Sequence, residues 1–283
     1  MKLFYLRLPV LLAARAVAAP SEEIAKRATP NVYLAGDSTM ALGGGGTGTQ
    51  GSSTYCSPQI TKLNFDSGWG VYLPYSLTGV KVINDAVAGS SARSYTNEGR
   101  FTAIANSVVS GDWVIIEFGH NDGGSLTPTD NGRSDCVGAG DETCTTAAGV
   151  VVQTYVTYLT NAAKLMTAKG AKVIISSPTP DNPCETLPCS YTPARFTGYC
   201  KDVVANVGSG ATFVDHGQYV ANEFISLGAT IVDSYYPIDH THTSPIGANV
   251  VAAAFVKGLL CEGNPLTAAH GKNTTASVTG TCI

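Results

Sequence analysis

Ser38, in the block Gly36-Asp37-Ser38-Thr39, and the block Asp239-His240-Thr241-His242 hold between them the three residue types that serine nucleophilic catalysis requires. A serine hydroxyl is a weak nucleophile near neutral pH; it needs an imidazole to accept its proton and a carboxylate to hold that imidazole in the right tautomer. Asp239 and His242 lie three positions apart, so one short loop can present both, whereas Ser38 sits far upstream and has to be delivered by the fold. His240 and His242 alternate along an extended segment and share one side, so spacing alone leaves either as the base. Asp239 with His242 is the favoured pair, because adjacent residues diverge and Asp239 does not easily reach the ring of His240. A metal site built from Asp239, His240 and His242 is the rival use of this block, but no Cys, His or Glu at ligand spacing completes it.

Two further blocks could serve the same reaction. Asn84-Asp85-Ala86-Val87-Ala88-Gly89-Ser90-Ser91 contains a glycine that lets the backbone approach a ligand and offer its N–H. Phe118-Gly119-His120-Asn121-Asp122 contains an amide, Asn121, able to donate to a developing oxyanion. Each has a plainer reading: Ser38 as a helix cap, Gly89-Ser90 as a turn, Asn121 as an Asx-turn residue. His120 is a competing base, but it lacks a carboxylate as well spaced as Asp239 is from His242.

The elements that must carry these blocks are legible in the hydrophobic pattern. Residues 31–35, 80–84, 113–118, 172–176 and 211–215 are short, β-branched and apolar enough to be strands buried on both faces, which predicts a central parallel sheet in an α/β fold. Helical spacing over Ala147–Ala168, ending before Gly170, predicts a crossover helix. Ser244-Pro245, a capping residue followed by proline at the first helical position, introduces a second helix through about Leu260. The glycine-rich run Gly43–Gly48 and the loop from Gly123 to Thr146 read as flexible segments at the carboxyl edge of the sheet, where ligands bind in such folds.

The chain has 283 residues, 44% of them hydrophobic, which suits one large domain. The start reads as an export signal over residues 1–19, with Lys2 and Arg7 before an apolar stretch and small residues at Ala16–Ala19. Residues 20–27 read as a short propeptide ending at Lys26-Arg27, leaving a single catalytic domain over 28–283. That domain carries 12 basic and 19 acidic residues, a net charge of −7. With no basic cluster, nucleic acid and anionic membrane are poor partners. No run of about 18 apolar residues is present to span a bilayer.

Eight cysteines in an exported chain point to disulfides. Cys136 and Cys144 could close a small loop, Cys261 and Cys282 could pin the C-terminal tail, and Cys56, Cys184, Cys189 and Cys200 leave their pairing open. A zinc site on Cys184 and Cys189 lacks the partners it would need. Asn273-Thr274-Thr275 is an N-glycan acceptor triplet.

Taken in order, Gly36-Asp37-Ser38-Thr39, the Gly89 block, Gly119-His120-Asn121-Asp122 and Asp239-His240-Thr241-His242 resemble the GDSL, or SGNH, hydrolase family over nearly the whole domain. The first block departs from the family name by reading Thr in place of Leu. The resemblance implies a three-layer α/β/α sandwich with flavodoxin-like strand order and no cofactor or metal. It also implies Ser38 as nucleophile, His242 as base and Asp239 as its partner, with an oxyanion hole from the N–H groups of Ser38 and Gly89 and the side chain of Asn121. His240 is left as a weak substrate contact. The Thr variant, together with Gly-His-Asn-Asp and Asp-His-Thr-His, is most similar to secreted fungal rhamnogalacturonan acetylesterases. This implies a monomeric extracellular enzyme acting on an acetylated plant cell-wall polysaccharide, with xylan or simple short-chain esters as alternatives; a non-catalytic carbohydrate-binding module would have no use for the full residue set. An acidic chain facing a polyanionic galacturonate backbone needs local positive potential. Arg93 and Arg100, just after the Gly89 block, either supply it or are ordinary solvated residues.

Overall fold

The computed structural model describes Met1 and residues 27–43 and 68–283. Five strands, β1 (Asn31–Gly36), β2 (Lys81–Asn84), β3 (Trp113–Glu117), β6 (Lys172–Ser176) and β7 (Ala211–Val214), form a sheet in the order β2-β1-β3-β6-β7. All four pairings are parallel. A hairpin of β4 (Thr143–Thr145) and β5 (Val151–Gln153) lies apart from it. The helices are α1 (Ala92–Asn97), α2 (Arg100–Ser107), α3 (Tyr155–Thr167), α4 (Arg195–Val207), α5 (His216–Leu227), α6 (Ala229–Tyr235), α7 (Pro245–Cys261) and α8 (Pro265–His270).

The central strands alternate between two cores because successive side chains point to opposite faces. Tyr33, Ala35, Val114, Ile116, Val173 and Ile175 face the layer formed by α1 to α4. Val32, Leu34, Trp113, Ile115 and Ile174 face the layer of α5 to α8, where Phe224, Phe255 and Leu259 are fully buried. This is the three-layer sandwich with flavodoxin-like order that the family resemblance implies. Its connectivity reverses between β1 and β3, which opens a crevice at their carboxyl ends.

The long crossover helix is shorter than its hydrophobic spacing predicts. It begins at Tyr155 rather than Ala147, because Val151 and Val152 pair with Thr145 and Cys144 in the hairpin and the Thr154 side chain then accepts from the Thr157 N–H as an N-cap. The segment expected to be flexible, Gly123 to Thr146, contains β4. It is tied to the domain by the Cys136–Cys144 disulfide, by the Asp135 N–H on the Asp122 carbonyl at 2.8 Å and by the Cys136 N–H on the Gln153 carbonyl at 2.9 Å.

Cys261 and Cys282 are also paired, and Cys184 with Cys189 forms the third disulfide. The last pairing resolves part of what spacing left open and leaves no thiolates there for zinc. Cys200 is buried without a disulfide partner among the described residues, and Cys56 lies outside them. Most of the expected signal and propeptide, and all but Gly43 of the glycine-rich run, also lie outside the described residues. Asn273 is half-buried and its Nδ2 donates to the Ser76 hydroxyl at 3.1 Å.

Candidate active site

Three strand ends and one loop converge on the crevice. β1 ends at Gly36, where a Cβ would come within 2.8 Å of both the Glu117 carbonyl oxygen and the Met40 sulfur, too close for any side chain. The chain then turns sharply: the N–H groups of Met40 and Ala41 both bond the Asp37 carbonyl, and Asp37 Oδ1 accepts from the Thr39 N–H and hydroxyl. This turn holds Ser38 at the strand end with 7% of its surface exposed.

The Asp239 loop is organised by the same kind of side-chain turn. Asp239 Oδ1 accepts from the N–H groups of Thr241 and His242, both at 2.8 Å, while Oδ2 meets His242 Nδ1 at 2.7 Å. The opposite ring nitrogen, Nε2, lies 2.8 Å from Ser38 Oγ. The Asp-Nδ1 contact favours a proton on Nδ1, which leaves Nε2 as an acceptor for the serine proton. Partial burial pushes the Asp239 carboxyl upward, but the hydrogen bonds from the His242 ring and the two N–H groups outweigh it and hold the group below the usual carboxylate range. The carboxylate therefore remains charged opposite the imidazole. Ser244 caps α7 by accepting from the Gly247 N–H, and its own N–H bonds the Tyr235 carbonyl at 2.6 Å, so the helix start fixes the loop just before it.

Gly89 follows β2 with φ +77°, a backbone conformation that only glycine adopts without strain. Among the described residues, neither the Ser38 N–H nor the Gly89 N–H has a hydrogen-bond acceptor. Backbone donors left without an acceptor are able to stabilise a developing negative charge. Asn121, after β3, places one amide hydrogen on the Ser90 carbonyl at 3.1 Å and keeps the other available.

The remaining sequence candidates go elsewhere. Arg93 is 3% exposed and forms a two-point pair with Asp130 at 2.8 and 2.7 Å, so its charge is neutralised inside the fold. Arg100 pairs with Glu98 and lines a separate cavity with Asp85 and Tyr95. Neither supplies free positive charge to the crevice: of the two readings the sequence left open, Arg100 fits the solvated one, while Arg93 fits neither because it is buried. His240 is exposed, with Glu185 3.5 Å from its ring and its carbonyl accepting from the Asn182 N–H. The His120 ring contacts Thr179 and Asp181 rather than Ser38, and it helps line a cleft of about 390 Å³ with Asn182, Tyr191 and Phe196.

Two buried groups that sequence reasoning did not single out support the site. Asp122 Oδ1 accepts from the Ala92 N–H at 2.7 Å and so joins the Asn121 block to the start of α1, just after Gly89. Burial, with the Asp37 and Asp135 carboxyls nearby, pushes Asp122 well above the usual carboxylate range. Glu117 accepts from the Trp69 indole at 2.8 Å and meets His216 Nδ1 at 2.7 Å, while His216 Nε2 donates to the Val251 carbonyl at 2.9 Å. This chain links β3 to α5 and α7 beneath the site. A carboxylate closing the apolar run Trp113–Ile116 was the available signal, since a buried charge requires partners.

The sequence and the fold have counterparts among known proteins. The model of the GDSL-like lipase/acylhydrolase family matches residues 32–255. The chain belongs to that family. A rhamnogalacturonan acetylesterase from Emericella nidulans is 51% identical over 82% of this chain and 85% of its own length. Among solved structures, the YxiM protein of Bacillus subtilis has a TM-score of 0.61 at 21% identity, covering 84% of this chain and 58% of that one. An acetylxylan esterase from Geobacillus stearothermophilus has a TM-score of 0.51 at 18% identity, covering 81% and 94%. These two structural likenesses establish the α/β fold, and the close relative with the family establishes a carboxylic-ester hydrolase.

Proposed function

We propose that this GDSL hydrolase is a secreted carbohydrate esterase that removes O-acetyl groups from rhamnogalacturonan. The observation that carries the reading is the continuous relay from Asp239 through His242 to Ser38, with contacts of 2.7 and 2.8 Å, in a chain half identical to an acetylesterase for that polymer. The leading apolar segment and the three disulfides support export.

In this mechanism Ser38 Oγ attacks the acetyl carbonyl carbon as His242 Nε2 takes its proton, and Asp239 stabilises the imidazolium. The tetrahedral oxyanion receives hydrogen bonds from the N–H groups of Ser38 and Gly89 and from Asn121 Nδ2; each such donor contributes about 10²- to 10³-fold to turnover. Collapse breaks the bond to the sugar oxygen, which takes the proton from His242. Water then attacks the acetyl group on Ser38, giving its proton to His242, and acetate leaves as the serine oxygen is reprotonated. Every proton is carried by His242, so the reaction requires no cofactor.

Acetate release from acetylated rhamnogalacturonan and from acetylated xylan, measured for the wild type and Ser38→Ala, tests the reading. The expected result is preferential release from rhamnogalacturonan and none above background in the folded variant. Equal release from both polymers would replace the substrate assignment with a broad acetylesterase, and wild-type turnover by Ser38→Ala would remove the nucleophile.

A further inference from the structure

Five arginines lie among the described residues. Arg27, Arg93, Arg100 and Arg195 each have a carboxylate within 4.0 Å. Arg133 has none among the described residues. It stands at the oxyanion side of the site: Nη1 donates to Asn121 Oδ1 at 3.1 Å and reaches the Gly89 carbonyl at 3.5 Å. A side chain at Gly89 would have this guanidinium as its neighbour, 3.8 Å away.

The backbone around Arg133 is built to hold it there. Asn131 Oδ1 accepts from the N–H groups of Arg133 and Ser134 at 2.8 and 3.0 Å. The Ser134 carbonyl accepts from Arg93 at 3.0 Å, and the Asp135 N–H is fixed on the Asp122 carbonyl. The Arg93–Asp130 pair therefore anchors a loop whose next arginine points at the site.

Two consequences follow from donor and acceptor chemistry. A guanidinium only donates, so it accepts the oxygen end of the Asn121 amide and rejects the NH₂ end. Arg133 thereby fixes which way Asn121 faces and keeps Nδ2 as the donor into the crevice. The Nε and Nη2 groups of the same half-exposed side chain have no partner among the described residues, leaving an unpaired planar fork of positive charge beside Asn121 and Gly89. Such a fork matches a carboxylate with two parallel hydrogen bonds.

We propose that Arg133 is a positioning and specificity residue: one edge orients Asn121 for the oxyanion, and the other receives a uronic-acid carboxylate of the polysaccharide. The second role rests on the rhamnogalacturonan reading and deepens it, since it accounts for how a chain of net charge −4 accepts an acidic polymer. The first role does not depend on that substrate.

The test uses the full-length enzyme, a neutral aryl acetate, and galacturonate oligomers as competitive inhibitors. Arg133→Ala should lower kcat on the aryl acetate about tenfold with little change in KM, a fraction of the 10²- to 10³-fold cost of losing an oxyanion donor outright because Ser90 still holds the amide. In an Asn121→Ala background the same change should cost nothing further. Multiplicative losses in the double variant would overturn the orienting role. Galacturonate oligomers should inhibit the wild type at least tenfold more strongly than neutral galactose oligomers, with inhibition weakened by salt; Arg133→Ala should abolish that preference and Arg133→Lys should keep part of it. An unchanged uronate preference in Arg133→Ala would overturn the carboxylate role even if the wild type deacetylates rhamnogalacturonan. Conversely, a wild type that binds uronate through Arg133 but releases no acetate from that polymer would remove the substrate reading and leave the role of Arg133 standing.

Discussion

Replacing Asp239 by asparagine preserves size and shape but removes an acceptor from one edge, and the loop dictates which edge. Asp239 Oδ1 receives two backbone N–H groups, those of Thr241 and His242, each at 2.8 Å. An asparagine in the same pose keeps its oxygen on those two donors and presents its NH₂ to His242 Nδ1. That nitrogen must then accept, which moves the ring proton to Nε2, the atom facing Ser38 Oγ. The base is left in the wrong tautomer, a change that costs about 10⁴-fold in kcat, or roughly 5.4 kcal/mol. Flipping the amide would restore the tautomer but set NH₂ against both N–H groups. At about 1 to 1.5 kcal/mol for each lost bond, the flipped form is limited to roughly one molecule in 30 to 150. The expected loss therefore lies between about 30- and 10⁴-fold. Steady-state hydrolysis of an aryl acetate measures it, with thermal denaturation showing an unchanged fold. A loss smaller than about tenfold would refute the tautomer argument, because the geometry allows no flipped population large enough to explain it.

Two other outcomes follow from features around the site. Because burial raises the Asp122 pKa in the folded protein, the folded state holds that proton more tightly than the unfolded chain, and the contribution of Asp122 to stability should fall as pH rises above about 4. Asp122→Asn keeps an oxygen for the Ala92 N–H but does not titrate; its stability relative to wild type, from urea unfolding, should improve between pH 4 and pH 7, and a pH-independent difference would be the contrary result. Removing the Cys261–Cys282 bridge by a double serine substitution opens a link spanning 21 positions, which should cost about 3 kcal/mol and lower Tm by roughly 6 to 12 °C without affecting kcat on an aryl acetate. Calorimetry showing a drop of less than about 2 °C would mean the tail is held by its other contacts, including the Lys257 ammonium on the Thr275 and Val278 carbonyls.

How far the site was legible depended on whether each residue's role was local. The strands at 31–36, 113–117 and 172–176 are short, mostly apolar runs buried on both faces apart from Lys172, so hydrophobicity alone located them to within a residue or two. Blocks directly after such strands must emerge at the carboxyl edge of a parallel sheet, which placed Ser38, Gly89 and Asn121 on one rim from the chain order alone. The hairpin partner Val151–Gln153 was read as helix because Val151 also fits a helical stripe; only pairing with Thr143–Thr145 decides for strand.

The sequence by itself determined the chemistry on offer: a serine, an Asp-His pair in one short loop, a glycine that lets the backbone approach a ligand and an amide donor, each at the end of a predicted strand or just before a predicted helix. These depend on covalent neighbours and on periodicities of two or 3.6 residues, which are written along the chain. Tertiary structure alone decided which charges remain free. Arg93, Arg100 and Arg133 look alike in sequence, and what separates them is the presence of Asp130 opposite the first, Glu98 opposite the second and Asn121 opposite the third. The charge of an arginine is fixed by its chemistry, but its effect on a ligand depends on partners a few ångströms away, and for Arg93 and Arg133 those partners come from another strand end or loop.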